Sequence, residues 1–321
     1  MELLLQLFIS VRLNKNELKV NELNAKTFFM ALITIIIWGS TFAAIRAGLH
    51  GGYSAGHLVL IRYLIASGAF ILYALWPGVK FRLPKKEDLF RLLLLGWIGI
   101  SIYHIGVTFG EQTVSAGTAG MLIGAAPVFT ALIAVFVLNE RLGRFGWLGL
   151  GIGLAGVILI TLGSSGPSLT ISKGAFLVLM AAVATSVFFV FQKPFLHRYT
   201  PIELTAYVTW AGTLPFFWFS PGLFDSIQHA TMEAHISALY VGIFPAAIAY
   251  VTWAIALSTG NASSVASMMY LEPAIAILTA WVWLNEWPST LSLIGGLVAI
   301  SGVLVVNGLD KKRVTAEKKS A

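Results

Sequence analysis

Cysteine is absent, so this chain forms no disulfide, holds no cysteine-ligated metal and runs no thiol chemistry. Charge is scarce too: Asp, Glu, Lys and Arg make up 11% of the 321 residues, against about 25% in soluble domains. That is too little to coat a globule of this size with water-compatible surface. No internal linker is long enough to hold an extramembrane domain, and no phosphate-binding loop or ATPase signature occurs, so the sequence encodes no ATP-driven motor. The six histidines, at 50, 57, 104, 197, 229 and 235, lack the paired spacing of metal ligands. No cofactor or metal is expected.

What fills the chain is apolar: 57% of residues are hydrophobic and the mean hydropathy is +0.83. Most of it must face lipid. A hydrocarbon core about 30 Å thick needs roughly 17–25 apolar residues per helix. Ten segments qualify: 27–48, 57–76, 89–109, 115–138, 146–162, 174–192, 203–220, 236–257, 261–284 and 291–308. Short loops rich in Gly, Pro, Ser and charge join them. The expected fold is an all-α polytopic membrane protein. Residues 1–26 read as a polar, partly disordered cytoplasmic leader, and 310–321 as a basic cytoplasmic tail.

The 21 Lys and Arg residues orient the spans. Taking alternate connections from the N-terminus, one side collects 18 of them, while the loops of the other hold only Lys173; Arg46 and Arg62 lie within spans. Lys and Arg mark the cytoplasmic face, so both termini are expected in the cytoplasm. The net charge of +7 is then a topology signal and requires no nucleic-acid partner.

A shift of 146 residues aligns the two halves almost without gaps: Pro127 falls on Pro273, Asn139-Glu140 on Asn285-Glu286, Gly149 on Gly295, Gly156 on Gly302 and Ser40 on Ser186. Each half, 27–163 and 174–309, holds five spans. An odd number makes the second half enter the bilayer from the opposite side. Inverted repeats of this kind mark alternating-access transporters, whose substrate binds near the midplane where the halves meet.

The stretches WGSTFAAIRAG (38–48), IRYLIA with Arg62 and Ala66, TVSAGTAGMLIGAAPVFTALIAVFVLNE (113–140) and NASSVASMMYLEPAIAILTAWVWLNE (261–286) carry a family likeness. Over roughly residues 28–308 the chain resembles the EamA-type transporters of the drug/metabolite transporter superfamily. The resemblance implies a ten-helix carrier of small metabolites, often amino acids.

Glu272 is the sharpest candidate residue. It sits roughly midway along its expected span, beside Pro273, where a carboxylate is costly. Its repeat mate is Ala126, so the symmetry of the halves does not demand the charge. It reads as a proton or substrate-amine site, or as half of a buried ion pair with Arg62. Arg62, at matching depth, reads as a partner for a carboxylate or for helix-end carbonyls, or as a binder of a substrate carboxylate. His104 and Tyr250 are repeat mates, and Trp253, three residues on, shares the Tyr250 face. With Tyr103, Trp38 and Tyr270 they are candidates for the wall of an aromatic cavity, against the alternative of ordinary helix packing. Glu272 is expected to face a central cavity lined also by Arg62, His104, Tyr250 and Trp253. Arg46, near the end of the first span, can snorkel. Glu140 and Glu286 each close a loop just before a new helix, where capping or a gate contact is expected.

Gly151-Ile152-Gly153-Leu154-Ala155-Gly156 matches the dinucleotide fingerprint G-x-G-x-x-G, but no strand precedes it, and it reads as a close helix contact. The expected function is a secondary transporter of small metabolites such as amino acids, exporting them across a bacterial inner membrane with protons as a candidate coupling ion. Its rivals are a passive channel and an intramembrane enzyme. The enzyme would need a clustered acid–base or metal constellation, and the polar residues here are dispersed.

Overall fold

The computed structural model describes residues 25–137, 144–164, 172–259, 265 and 268–305. Every regular element among them is helical. In chain order they are α1 (Ala25–His50), α2 (Ala55–Ala74), α3 (Lys86–Gly110), α4 (Ala116–Gly124), α5 (Ala126–Val137), α6 (Arg144–Gly163) and α7 (Lys173–Gln192). There follow α8 (Pro201–Thr213), the short α9 (Leu223–His229), α10 (Met232–Thr259), α11 (Glu272–Leu284) and α12 (Thr290–Val305). Six of these, α1, α2, α3, α6, α7 and α10, are long and apolar enough to cross a membrane. Large apolar side chains such as Leu72, Trp76, Trp218 and Val282 point outward, as lipid contact and its aromatic belts require. This is a multi-pass membrane protein.

Hydroxyl caps start the helices. Ser54, Ser115, Ser172 and Thr231 each accept from a backbone N–H in the first turn of α2, α4, α7 and α10. Thr200 and Glu203 form a reciprocal capping box on α8. Asn285, with φ of 53°, closes α11 in the left-handed conformation that asparagine tolerates.

Several expected spans are interrupted, and proline accounts for the interruptions. The span over 115–138 divides at Ala125 into α4 and α5, and Pro127 follows the break. The span over 261–284 is described as a 3-10 turn, Met268–Leu271, feeding α11, with Pro273 at its second position. The span over 203–220 continues past α8 as a 3-10 stretch, Leu214–Phe219, with Pro215 near its start. Proline lacks the N–H that a continuous helix needs. In α3 and α10 the backbone widens instead to π-helix, over Trp97–Ile102 and Phe244–Ala249, a feature common at functional positions.

The two halves touch in matched ways. A Cβ on Gly156 would meet Ala299, and one on Gly302 would meet Gly153, so α6 and α12 approach backbone to backbone. Gly151 of the G-x-G-x-x-G run has open space beside it. Gly96 of α3 abuts the Val208 carbonyl and Ala211, and Gly242 of α10 abuts the Arg62 carbonyl and Ile65. Ser67 Oγ lies 2.9 Å from Thr213 Oγ1, and His104 Nε2 lies 3.1 Å from Tyr250 Oη.

The Lys/Arg-rich end is tied by ion pairs. Arg82 reaches both Glu203 oxygens, at 3.1 and 3.0 Å. Asp88 accepts from Arg198 and from the Tyr199 hydroxyl, each at 2.7 Å. Burial, and then the bond to Asp88, push that hydroxyl above its ordinary pKa. These contacts strap the 77–88 connection onto the start of α8. Residues 1–24 of the leader, the tail from 310 and Glu140 lie outside the described residues, and Ala25 and Lys26 open α1.

Candidate functional site

Between α1, α2 and α3 lies a small cavity lined by Trp38, Thr41, Phe42, Ile45, Arg62, Tyr103, His104 and Val107. It has room for about one water molecule. Arg62 projects from α2 and is 2% exposed. Its Nε and Nη1 find no hydrogen-bond partner, and among the described residues it forms no ion pair. A guanidinium is a fork of five donors shaped for a carboxylate or phosphate. Buried with two open donors, it has the chemistry to take an anion.

An aromatic wall adjoins the cavity. Trp38 packs against Tyr250 and Trp253 with centroids 5.3 Å apart in each pair, and against Phe189 at 6.0 Å. His104 sits 4.5 Å from the Tyr103 ring and 4.9 Å from the Tyr63 ring, centroid to centroid. The π-helical stretches take part. The Pro245 carbonyl accepts from Trp38 Nε1 at 3.4 Å, and Ser101 donates to the Gly212 carbonyl at 2.8 Å. Inward-facing His104 Nδ1 and Trp253 Nε1 have no hydrogen-bond partner.

Glu272 opens α11 and is 1% exposed. Its Oε2 has no hydrogen-bond partner, and no ion pair joins it to Arg62. Its main chain packs against Gly39 of α1, one residue from Trp38. Its charge bears on both the Tyr103 and the Tyr250 hydroxyls. Glu272, Tyr250 and Trp253 lie outside the cavity lining. Of the five residues expected to share one lining, Arg62 and His104 line this cavity, with Tyr103 and Trp38. Tyr270, within the 3-10 turn before α11, packs near Val128 and Leu150, away from the aromatic cluster.

At the end of α3 remote from Asp88, Arg46 Nε donates to Glu286 Oε1 at 2.9 Å, and its Nη1 to the Glu111 carbonyl. Arg46 is therefore held in place and does not snorkel. Glu286 Oε2 accepts from the Ala116 amide at 3.1 Å, so it meets the start of α4 rather than the helix that follows it. Sequence reasoning passed over Thr41, Phe42, Ile45, Tyr63, Val107 and Glu111. The first five look like ordinary span residues, and a carboxylate in a turn between spans is unremarkable.

The family profile described as "EamA-like transporter family" matches residues 25–162 and again residues 172–308. The chain is 38% identical over 287 residues to the uncharacterized transporter YdfC of Bacillus subtilis, covering 88% of this chain and 92% of that one. It is 36% identical over 283 residues to a probable terminal-alkyne amino-acid exporter of Streptantibioticus cattleyicolor, at 88% and 94% coverage. A probable amino-acid metabolite efflux pump of Escherichia coli is 23% identical, at 88% and 95% coverage. A crystal structure with 20% identity superposes with a TM-score of 0.62 over 90% of this chain and 99% of its own, a likeness of fold.

Proposed function

The chain belongs to the EamA-like transporter family, and from that premise we propose that it exports amino acids or related small solutes across a bacterial inner membrane by alternating access around the Arg62 cavity. Arg62 carries the reading. A cation buried within a membrane helix is expensive, and this one forms no ion pair among the described residues. A solute carboxylate supplies a counter-ion. Glu272, buried at the start of α11, has an open oxygen for a solute ammonium or for a coupling proton. The relatives named for amino-acid export fit a zwitterion held between the two.

Two kinds of contact support two inverted five-helix repeats, 27–163 and 174–309, in a ten-span fold. In a two-fold arrangement every contact between halves occurs twice with partners exchanged. Gly156 with Ala299 and Gly302 with Gly153 form such a pair, since 153 and 156 plus the 146-residue offset give 299 and 302. Gly96 with Val208 and Ala211, against Gly242 with Arg62 and Ile65, form another. Residues on the axis should touch their own mates, and His104–Tyr250 and Ser67–Thr213 are each separated by that same offset. Inverted halves can exchange conformations and so expose a midplane site to either side. The Lys/Arg-rich end is the cytoplasmic one by the positive-inside rule, with both termini there.

The test is solute counterflow. Purified protein in liposomes loaded with unlabelled amino acid should accumulate labelled amino acid transiently from outside, with and without a pH gradient. Uptake equal to that of protein-free liposomes, across a panel of amino acids and cationic drugs, would refute the reading. Flux that trans-loading leaves unchanged would establish the passive channel in its place.

A further inference from the structure

Glu111 follows the last residue of α3, at the end of the molecule opposite the Lys/Arg cluster. It is 0% exposed, yet neither carboxylate oxygen has a hydrogen-bond partner. Its own main-chain carbonyl accepts from Arg46, and the guanidinium faces the Glu286 carboxylate instead. The charged groups that bear on Glu111 are Arg46 from α1, Glu286 from the turn after α11, and Arg62 from α2. Helix α7, which packs against Gly110, offers only Lys173, and that side chain is exposed. Helix α4, on the far side of the turn, carries no titratable residue. A buried carboxylate with no donor neutralises itself by holding a proton.

We propose that Glu111 is a proton-binding site that latches the outer mouth. Arg46, Glu111 and Ala116 belong to the first half of the chain, and Glu286 to the second. In the closed form Glu286 bridges them, accepting from Arg46 and from the Ala116 amide. Opening the mouth draws α11 and Glu286 away and leaves Arg46 without its counter-ion. Glu111 is the acceptor already at hand on the same half. Its proton passes to the outer medium, and the freed carboxylate takes over Arg46, so the guanidinium keeps a counter-ion in both forms while Glu286 moves out into water. The closed form carries the extra proton, so acid outside favours closure and rising outer pH favours opening. This latch rests on the alternating-access reading.

The absence of cysteine makes the test direct, because an introduced cysteine is the sole labelling site. Val107 lines the cavity one turn from Glu111. In full-length Val107→Cys, reconstituted in liposomes, labelling by an impermeant thiol reagent from the outer side is compared with that of Gln228→Cys, an exposed control. The ratio cancels the pH dependence of the thiol itself. It should rise by up to about tenfold per pH unit across the titration, the limit for one proton released on opening. Glu111→Gln, which keeps the shape of the protonated acid, should hold the ratio low and flat. Glu286→Gln should raise it at acid pH. A ratio that changes with pH equally in Glu111→Gln, or that is flat in the parent, would overturn the latch alone. No labelling of Val107→Cys under any condition would overturn the latch together with alternating access.

Discussion

Arg62→Met is expected to weaken apparent affinity for a carboxylate solute by on the order of 10²-fold or more while leaving the protein folded. Removing one partner of a buried, hydrogen-bonded charge pair costs about 2–5 kcal/mol, and in the proposed export the solute carboxylate pairs with the open Arg62 donors. Stability should move the other way. A buried cation with open donors and no ion pair is a liability to the fold, and an apolar side chain of similar length removes it. The melting temperature in detergent should therefore stay unchanged or rise as transport falls. Arg62→Lys tests the geometry. An ammonium keeps the charge but cannot fork across two oxygens, so part of the affinity should remain. Flux like the parent's in Arg62→Met, or loss of flux only together with loss of folding, would remove Arg62 from the binding site.

Glu272→Gln is expected to abolish most transport of zwitterions with the protein still folded. The carboxylate makes no ion pair among the described residues, so the amide breaks no structural bridge. A charge at this depth costs about 2.5–3.5 kcal/mol on insertion scales, and Gln removes that cost. If Glu272 holds the solute ammonium, carboxylates without an amino group should be carried equally well by parent and variant. If it carries a proton, the variant should lose its pH dependence for both kinds of solute. Parental flux at every pH would exclude Glu272 from the mechanism. Poor folding would assign it to structure.

Different physics made different parts of this protein legible in its sequence. Hydropathy located the six long apolar helices found among the described residues, because a bilayer imposes one length on every span. Pro127 and Pro273 sit at the breaks because a missing N–H interrupts any helix. The 146-residue offset makes His104 and Tyr250 repeat mates, and their side chains lie 3.1 Å apart. Periodicity failed where the backbone left the regular helix. Tyr270, in the 3-10 turn at Met268–Leu271, packs by Val128 and Leu150. The lining residues Thr41, Phe42, Ile45 and Val107 have no local signature, since membrane helices carry such residues on every face. Glu111 was hidden by its place in a turn, where only the packed structure reveals that the carboxylate is enclosed.

The most direct measurement is two-sided access to the cavity. Thr41→Cys places a sole thiol in the cavity lining, in a chain that has no other. Protein of known orientation in liposomes is exposed to an impermeant thiol reagent from one side or the other, with and without a solute gradient. The expected result is labelling from either side, with the solute gradient shifting the balance between them. Labelling from a single side under every condition would contradict alternating access around Arg62, as would simultaneous, gradient-independent labelling from both.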